Sequence, residues 1–244
     1  MSRKLTLCVV LLSLAMAVPA SATIIVDDFT DDTLNANWVQ STVLLVGSVP
    51  AYTYSTTTND NELTVSMASF SGTARIDVLL RKDYSLGVGQ ILLTDVLDFP
   101  SLDATGLAIA ADTGITERKN LMYIGGRDSG NRFSWYYYDN DGTAPSSGLI
   151  AMPAGGVTGL FIARTAQDVY DLGYYVGDTL TTVDTITVAA GNPKPGTAIG
   201  YIVDIRGNAS AGFDNLVLIP EPSTWALLAT GLVSLLCYAW RKRK

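Results

Sequence analysis

The sequence predicts an all-β protein, and three observations carry that expectation. Runs rich in Val, Ile, Thr and Tyr succeed one another through the middle of the chain, the composition of pleated, half-buried surfaces. Turn residues separate them: Thr-Asn-Asp-Asn at 58–61, Asp-Asn-Asp-Gly at 139–142 and Gly-Asn-Pro-Lys-Pro-Gly at 191–196. No stretch of the body holds a convincing helical period. So many short strands without a repeat of fixed period point to a two-sheet sandwich or a barrel, and away from a propeller or β-helix.

In order, the β-like runs are 23–29, 39–47, 51–58, 62–67, 74–82, 90–99 and 106–111, then 120–125, 132–139, 158–165, 169–176, 181–188, 198–206 and 212–219. Two of them alternate cleanly. Leu63, Val65 and Met67 oppose Thr64 and Ser66, and Ala74, Ile76 and Val78 oppose Arg75 and Asp77, the period of a strand with two different faces.

The ends read differently. Arg3 and Lys4 precede an apolar run at 5–17, and Ala20-Ser21-Ala22 offers an Ala-x-Ala cleavage site with Ala20 and Ala22 as its small residues. Residues 1–22 are therefore expected to be a secretory signal peptide. At the other end, residues 225–240 carry no charge and are followed by Arg241, Lys242, Arg243 and Lys244. As a helix this segment covers about 24 Å, a little under a bilayer core of about 30 Å. Trp225, Tyr238 and Trp240 stand near its two ends, where amphipathic rings favour the interface. The four cations are a membrane stop that holds their end in the cytoplasm. A body of residues 23–219 remains between the two, a size that supports one domain with a substantial core.

Pro220, Glu221 and Pro222 stand directly before that apolar segment and its basic end. The block 220–244 resembles the PEP-CTERM sorting signal of bacteria that make extracellular polysaccharide. The resemblance implies recognition of Pro220-Glu221-Pro222 by an exosortase, a membrane-embedded cysteine transpeptidase, and a transient anchor in the inner membrane. A Gram-positive sortase signal requires a Thr-Gly that residues 219–223 lack, and a GPI signal requires a longer polar spacer and no basic end. The expected location is across the inner membrane of a Gram-negative-type bacterium, then the cell surface or the extracellular space.

Removing both ends changes the charge. The body keeps 10 Lys and Arg against 22 Asp and Glu, a net charge of about −12. That balance disfavours nucleic acid and leaves room for divalent cations. Both cysteines, Cys8 and Cys237, lie outside the body, which also has no histidine. This excludes a disulfide framework, Ser-His-Asp and Cys-His catalysis, and His/Cys zinc sites.

The body opens on Val26-Asp27-Asp28-Phe29 and then Leu34-Asn35-Ala36-Asn37-Trp38, and it closes on Gly212-Phe213-Asp214-Asn215-Leu216-Val217-Leu218. Between them, Leu160-Phe161-Ile162-Ala163-Arg164-Thr165 leads into 169–176, and Ile199-Gly200-Tyr201 follows a turn. This succession resembles the concanavalin A-like (laminin G-like) jelly rolls and implies a two-sheet jelly-roll sandwich. The glucanases of that fold use a Glu-x-Asp-x-x-Glu strand, a paired-carboxylate arrangement for retaining glycoside hydrolysis. The body's two glutamates, Glu62 and Glu117, belong to no such motif, so no enzymatic activity is expected.

Three candidate sites remain. The resemblance implies calcium near the pairing of the first and last strands, and Asp28 and Asp214 stand in the matching places; no other cofactor is expected. Asp139-Asn140-Asp141-Gly142 offers calcium ligands or an Asp-Gly hairpin turn, with the turn favoured because Ile150 stands where an EF-hand loop needs Glu. In Phe133-Ser134-Trp135-Tyr136-Tyr137-Tyr138, alternation puts Tyr136 and Tyr138 on one face. They are either a stacking platform for sugar rings or a pair packed under a loop. The function expected is a structural or carbohydrate-associated component of exopolysaccharide or biofilm; the alternative is a degenerate glucanase-like hydrolase.

Overall fold

The computed structural model describes residues 23–31, 34–46, 50–57, 62–67, 74–99, 104–127, 131–205 and 209–220. Ile24–Leu218 form one compact unit. Among the described residues there are fifteen strands and no helix: β1 Ile24–Asp27, β2 Trp38–Val46, β3 Thr53–Thr57, β4 Glu62–Met67, β5 Ala74–Arg81, β6 Gln90–Asp98, β7 Thr105–Ala110, β8 Leu121–Arg127, β9 Arg132–Tyr138, β10 Ser146–Ala151, β11 Gly159–Ala166, β12 Val169–Val176, β13 Thr179–Thr187, β14 Ala198–Val203 and β15 Ala209–Pro220. Among the described residues no helix is long and apolar enough to cross a membrane. The expected signal peptide and membrane segment lie outside the described residues.

The strands form two antiparallel sheets. The back sheet runs β13-β12-β11-β6-β15-β4-β3, with β1 also paired to β15, and the front sheet runs β10-β9-β8-β7-β14-β5-β2. Neighbours far apart in sequence, such as β6 with β11 and β5 with β14, are the crossovers of a jelly roll. First and last strands pair, Ile24 opposite Leu218 and Ile25 opposite Val217, with a bulge before Asp27.

The main core lies between the sheets. Leu63, Val65 and Met67 are buried in it, as the alternation of β4 predicts, while Thr64 and Ser66 stay partly exposed. β5 alternates as predicted too, but both of its faces are covered. Ile76, Val78 and Leu80 join a second apolar cluster with Ala108, Ala110, Tyr123 and Ile202, whereas Leu79 belongs to the main core. Arg75 and Asp77 share the parity of Leu79. Asp77 is fully buried and accepts two bonds from Arg75, both at 2.9 Å, and one from Gln40 Nε2 at 2.8 Å. A charge at an inward position is tolerated because its partners are buried with it.

One strand has no counterpart among the predicted runs. β10 reads Ser-Ser-Gly-Leu-Ile-Ala and forms the front-sheet edge by pairing with β9 over six residues. Its composition does not mark it; the ladder makes it. Gly148 is obligatory there, since a Cβ would stand 2.1 Å from the Trp135 ring.

Candidate functional site

The features singled out by sequence gather around β1. Asp27 and Asp28 are neighbours in the chain, yet they serve different surroundings. Asp27 Oδ2 accepts Trp38 Nε1 and Arg81 Nη1, each at 2.8 Å. Arg81, 4% exposed, donates further to both oxygens of Asp83 at 2.8 and 2.7 Å and to the Val26 carbonyl at 3.2 Å. Its guanidinium lies 5.4 Å from the Trp38 ring and 5.2 Å from that of Tyr84. Burial opposes its charge, but Asp83 and Asp27 outweigh burial and raise its pKa. Asp83 is held below the usual carboxylate range, first by its bonds to Arg81. Fork-to-carboxylate pairing of this kind also sets geometry. Arg81 and Asp83 carry no motif; an arginine and an aspartate two residues apart at the end of β5 were the only signal for them.

Phe29 follows in the left-handed region at φ 51°, unusual for a bulky side chain. Its amide is tied to Asp27 Oδ1 at 3.0 Å, and its ring packs against Trp38 and Tyr201, 6.1 and 6.2 Å between centroids. Burial of the ring thus holds the turn. Beside it opens a cavity of about 250 Å³, lined among others by Asp28, Asp31, Asn35, Thr56, Arg81 and Tyr84.

Asp28 lines the same cavity as Asp27 and Arg81 but bonds locally. Its Oδ1 takes the amide and hydroxyl of Thr30 at 3.3 and 2.9 Å. Asp214 accepts the Asn215 amide at 2.7 Å and its Nδ2 at 3.0 Å, and the same Nδ2 reaches Asp95 Oδ2 at 2.9 Å. Tyr175 closes the group on Asp95 Oδ1 at 2.6 Å. The Asp214 carboxyl is raised above its ordinary value, chiefly by burial, then by the charges of Asp95, Asp28 and Glu62. Asp28 and Asp214 are therefore brought within electrostatic reach of each other. Among the described residues no group of three or more Asp, Glu, His or Cys is placed to hold a metal ion. Asp139 forms the hairpin turn: its Oδ1 accepts the amides of Asp141 and Thr143 at 3.0 and 2.9 Å.

On the front sheet, Tyr136 and Tyr138 do share a face, stacked at 5.7 Å with 3° between planes. Tyr123 joins them at 5.4 Å from Tyr136. All three pack in the second apolar cluster with Ile115, which lies on the β7–β8 connection. That connection crosses the sheet far enough for Ser41 Oγ to bond the Thr113 carbonyl at 3.1 Å. Arg118 covers Tyr138, 5.2 Å above its ring, and Tyr138 is 6% exposed. Tyr136 is partly exposed and is the open ring of the pair. Glu62 begins β4 in the back sheet, whereas Glu117 stands on the β7–β8 connection, paired with Lys119.

The two sheets and their crossovers are those of a jelly-roll sandwich. The chain is similar to a prokaryotic β-1,3-1,4-glucanase (lichenase) derived from a mouse hindgut metagenome, with TM-score 0.52 and 10% identity over 80% of this chain and 97% of that one. It is also similar to a glycosyl hydrolase family protein from Mycobacterium fortuitum, TM-score 0.50, 10% identity, 82% and 100% covered. The exoplasmic/lumenal domain of VIP36 in its Ca2+/Man3GlcNAc-bound form follows at TM-score 0.44 and 10% identity, over 77% and 85%. At such identity the likeness speaks for the fold alone. No curated protein matches the chain.

Residues 218–244 match the PEP-CTERM protein-sorting motif. The match begins inside β15: Leu218, Ile219 and Pro220 are strand residues, and Leu218 is 2% exposed in the main core. Ala20, Ala22, Glu221, Pro222 and Arg241 to Lys244 lie outside the described residues.

Proposed function

We propose that this chain is exported through its signal peptide and held briefly in the inner membrane by residues 225–240, with Arg241, Lys242, Arg243 and Lys244 in the cytoplasm. An exosortase-type transpeptidase then processes it at Pro220-Glu221-Pro222. The product is an acidic jelly-roll module at the cell surface or in the extracellular matrix of a Gram-negative bacterium. The observation that carries this reading is the sorting-motif match at 218–244. Replacing Pro220, Glu221 and Pro222 with alanine leaves the full-length protein in the inner membrane. Release of the triple variant at the wild-type rate, followed by immunoblot of membrane and surface fractions, would end the assignment.

At the surface the module acts as a structural or carbohydrate-associated component of exopolysaccharide, with Tyr136 as its stacking candidate; of the expected pair, Tyr138 is covered by Arg118. The support is the jelly-roll sandwich, a fold shared with a glucanase. Titration with the host's own exopolysaccharide tests it: heat of binding that drops in Tyr136→Ala supports the sugar role, and flat isotherms leave a purely structural module. Calcium at Asp28 and Asp214 is the ion this reading admits; a ligand of the native state must raise the melting temperature, so a chelator that changes nothing removes it. The hydrolase alternative draws on the two glycoside hydrolase likenesses. It requires reducing-sugar release from β-glucan that is lost in Glu62→Gln or Glu117→Gln.

A further inference from the structure

The sorting junction is built into the folded sheet. β15 continues to Pro220 without a break, so the first residue of Pro220-Glu221-Pro222 is also the last residue of a strand. Upstream, Val217 and Leu218 are paired to Ile25 and Ile24, and Leu218 is anchored in the core. On the other flank β15 neighbours β6, and Thr94 Oγ1 bonds the Asp214 carbonyl at 2.9 Å. An enzyme that takes a peptide in extended form needs its backbone free, and here β1 occupies the open side. Only about 17 Å of extended chain separates Pro220 from Trp225. Little slack exists with which to avoid the fold.

β1 is made in two parts. Ile24 and Ile25 are 39% and 58% exposed, whereas Val26 is 4% exposed. The ladder is interrupted between Ile25 and Asp27. From Val26 onward the chain is clamped, because Arg81 bonds the Val26 carbonyl and Asp27 and Trp38 bonds Asp27. Ile24 and Ile25 therefore have two ladder positions and only partly covered side chains to hold them, next to a fixed point where peeling must stop.

Resting on the exosortase reading above, we propose that Ile24 and Ile25 are a strap over Val217 and Leu218, and that the sorting enzyme engages this strand leading into Pro220 only after the strap peels from β15. The partner is a membrane-embedded transpeptidase docking on the sandwich edge that the strap vacates. The junction is thus regulated by a short edge strand whose N-terminus is the one that signal-peptide removal would create.

A disulfide across the strap tests this. Ile25→Cys with Val217→Cys joins two directly paired positions, and with Cys237→Ser the chain after residue 22 has no other cysteine. In a host that processes the wild-type full-length chain, the oxidised double variant is cut at least tenfold more slowly in pulse-chase, and reductant restores the rate. The reduced form carries the same substitutions and so reports any folding defect. Deleting residues 23–25 raises the rate. An oxidised variant processed at the wild-type rate overturns the strap. The alanine triple at 220–222 separates the two ideas: its normal processing would sink the exosortase reading whatever the disulfide does.

Discussion

Asp27 and Asp28 are consecutive residues that end up on opposite electrostatic terms. Asp27 belongs to a satisfied group, in which one buried guanidinium is shared by Asp27 and Asp83 and flanked by Trp38 and Tyr84. Asp28 belongs to a group in which burial, then the charges of Asp95, Asp28 and Glu62, push the Asp214 carboxyl upward, and in which Asp95 and Asp214 are linked by the neutral amide of Asn215, with Tyr175 on Asp95. The first is a structural clamp, because every strong donor in it is already used. In the second, the partners are neutral donors, the Asn215 amide and the Tyr175 hydroxyl.

The comparison is broken most severely at Arg81. Arg81→Ala leaves Asp27 and Asp83 facing each other without their cation and should cost about 3–5 kcal/mol, the range for removing one partner of a buried pair. Urea unfolding measures it, and a loss below about 1 kcal/mol would mean the clamp is a surface ion pair. Trp38→Phe keeps most of the packing against Phe29 and Tyr201 and deletes the bond to Asp27. The expected loss is about 1–3 kcal/mol.

The smallest effect has the opposite sign and sharpens the contrast. Asp214 is raised in the folded state, so the stability it contributes is full below its ordinary value of 3.8 and is lost as pH rises through the raised folded value. Asp214→Asn should therefore melt slightly higher at neutral pH, by about 0.5 kcal/mol or less for a group this exposed, with the gap closing below pH 3.8. Asp83 behaves in reverse. Its depressed pKa contributes stability above 3.8 that is lost as pH falls through the folded value, so Asp83→Asn should flatten the acid limb of a pH–melting curve. Curves of the same slope for both variants would remove the distinction between the two groups.

Much of this was legible beforehand, and the failures have physical causes. Alternation in β4 named its buried face correctly because one side of that strand meets the core and the other meets solvent. In β5 the same alternation left the faces undecided: the strand lies between β2 and β14 and the β7–β8 connection covers its far side with Ile115. Periodicity distinguishes two faces but does not say what lies above each. β10 escaped notice because Ser-Ser-Gly-Leu-Ile-Ala has little strand propensity of its own and is recruited by β9. The tyrosine run was visible as a shared face, while Arg118 above Tyr138 comes from a loop no pattern would aim there.

Taken alone, the sequence determined the all-β character, the acidic histidine-free body and the sorting segment, since each depends on composition or on residues close together in the chain. Tertiary structure alone decided which carboxylate met a cation and that the chain leading into Pro220 is a strand paired with the first one. Those outcomes depend on contacts between residues such as Asp27 and Arg81 or Ile24 and Leu218. Nothing local in the chain encodes such distant pairings; the closure of the sandwich does.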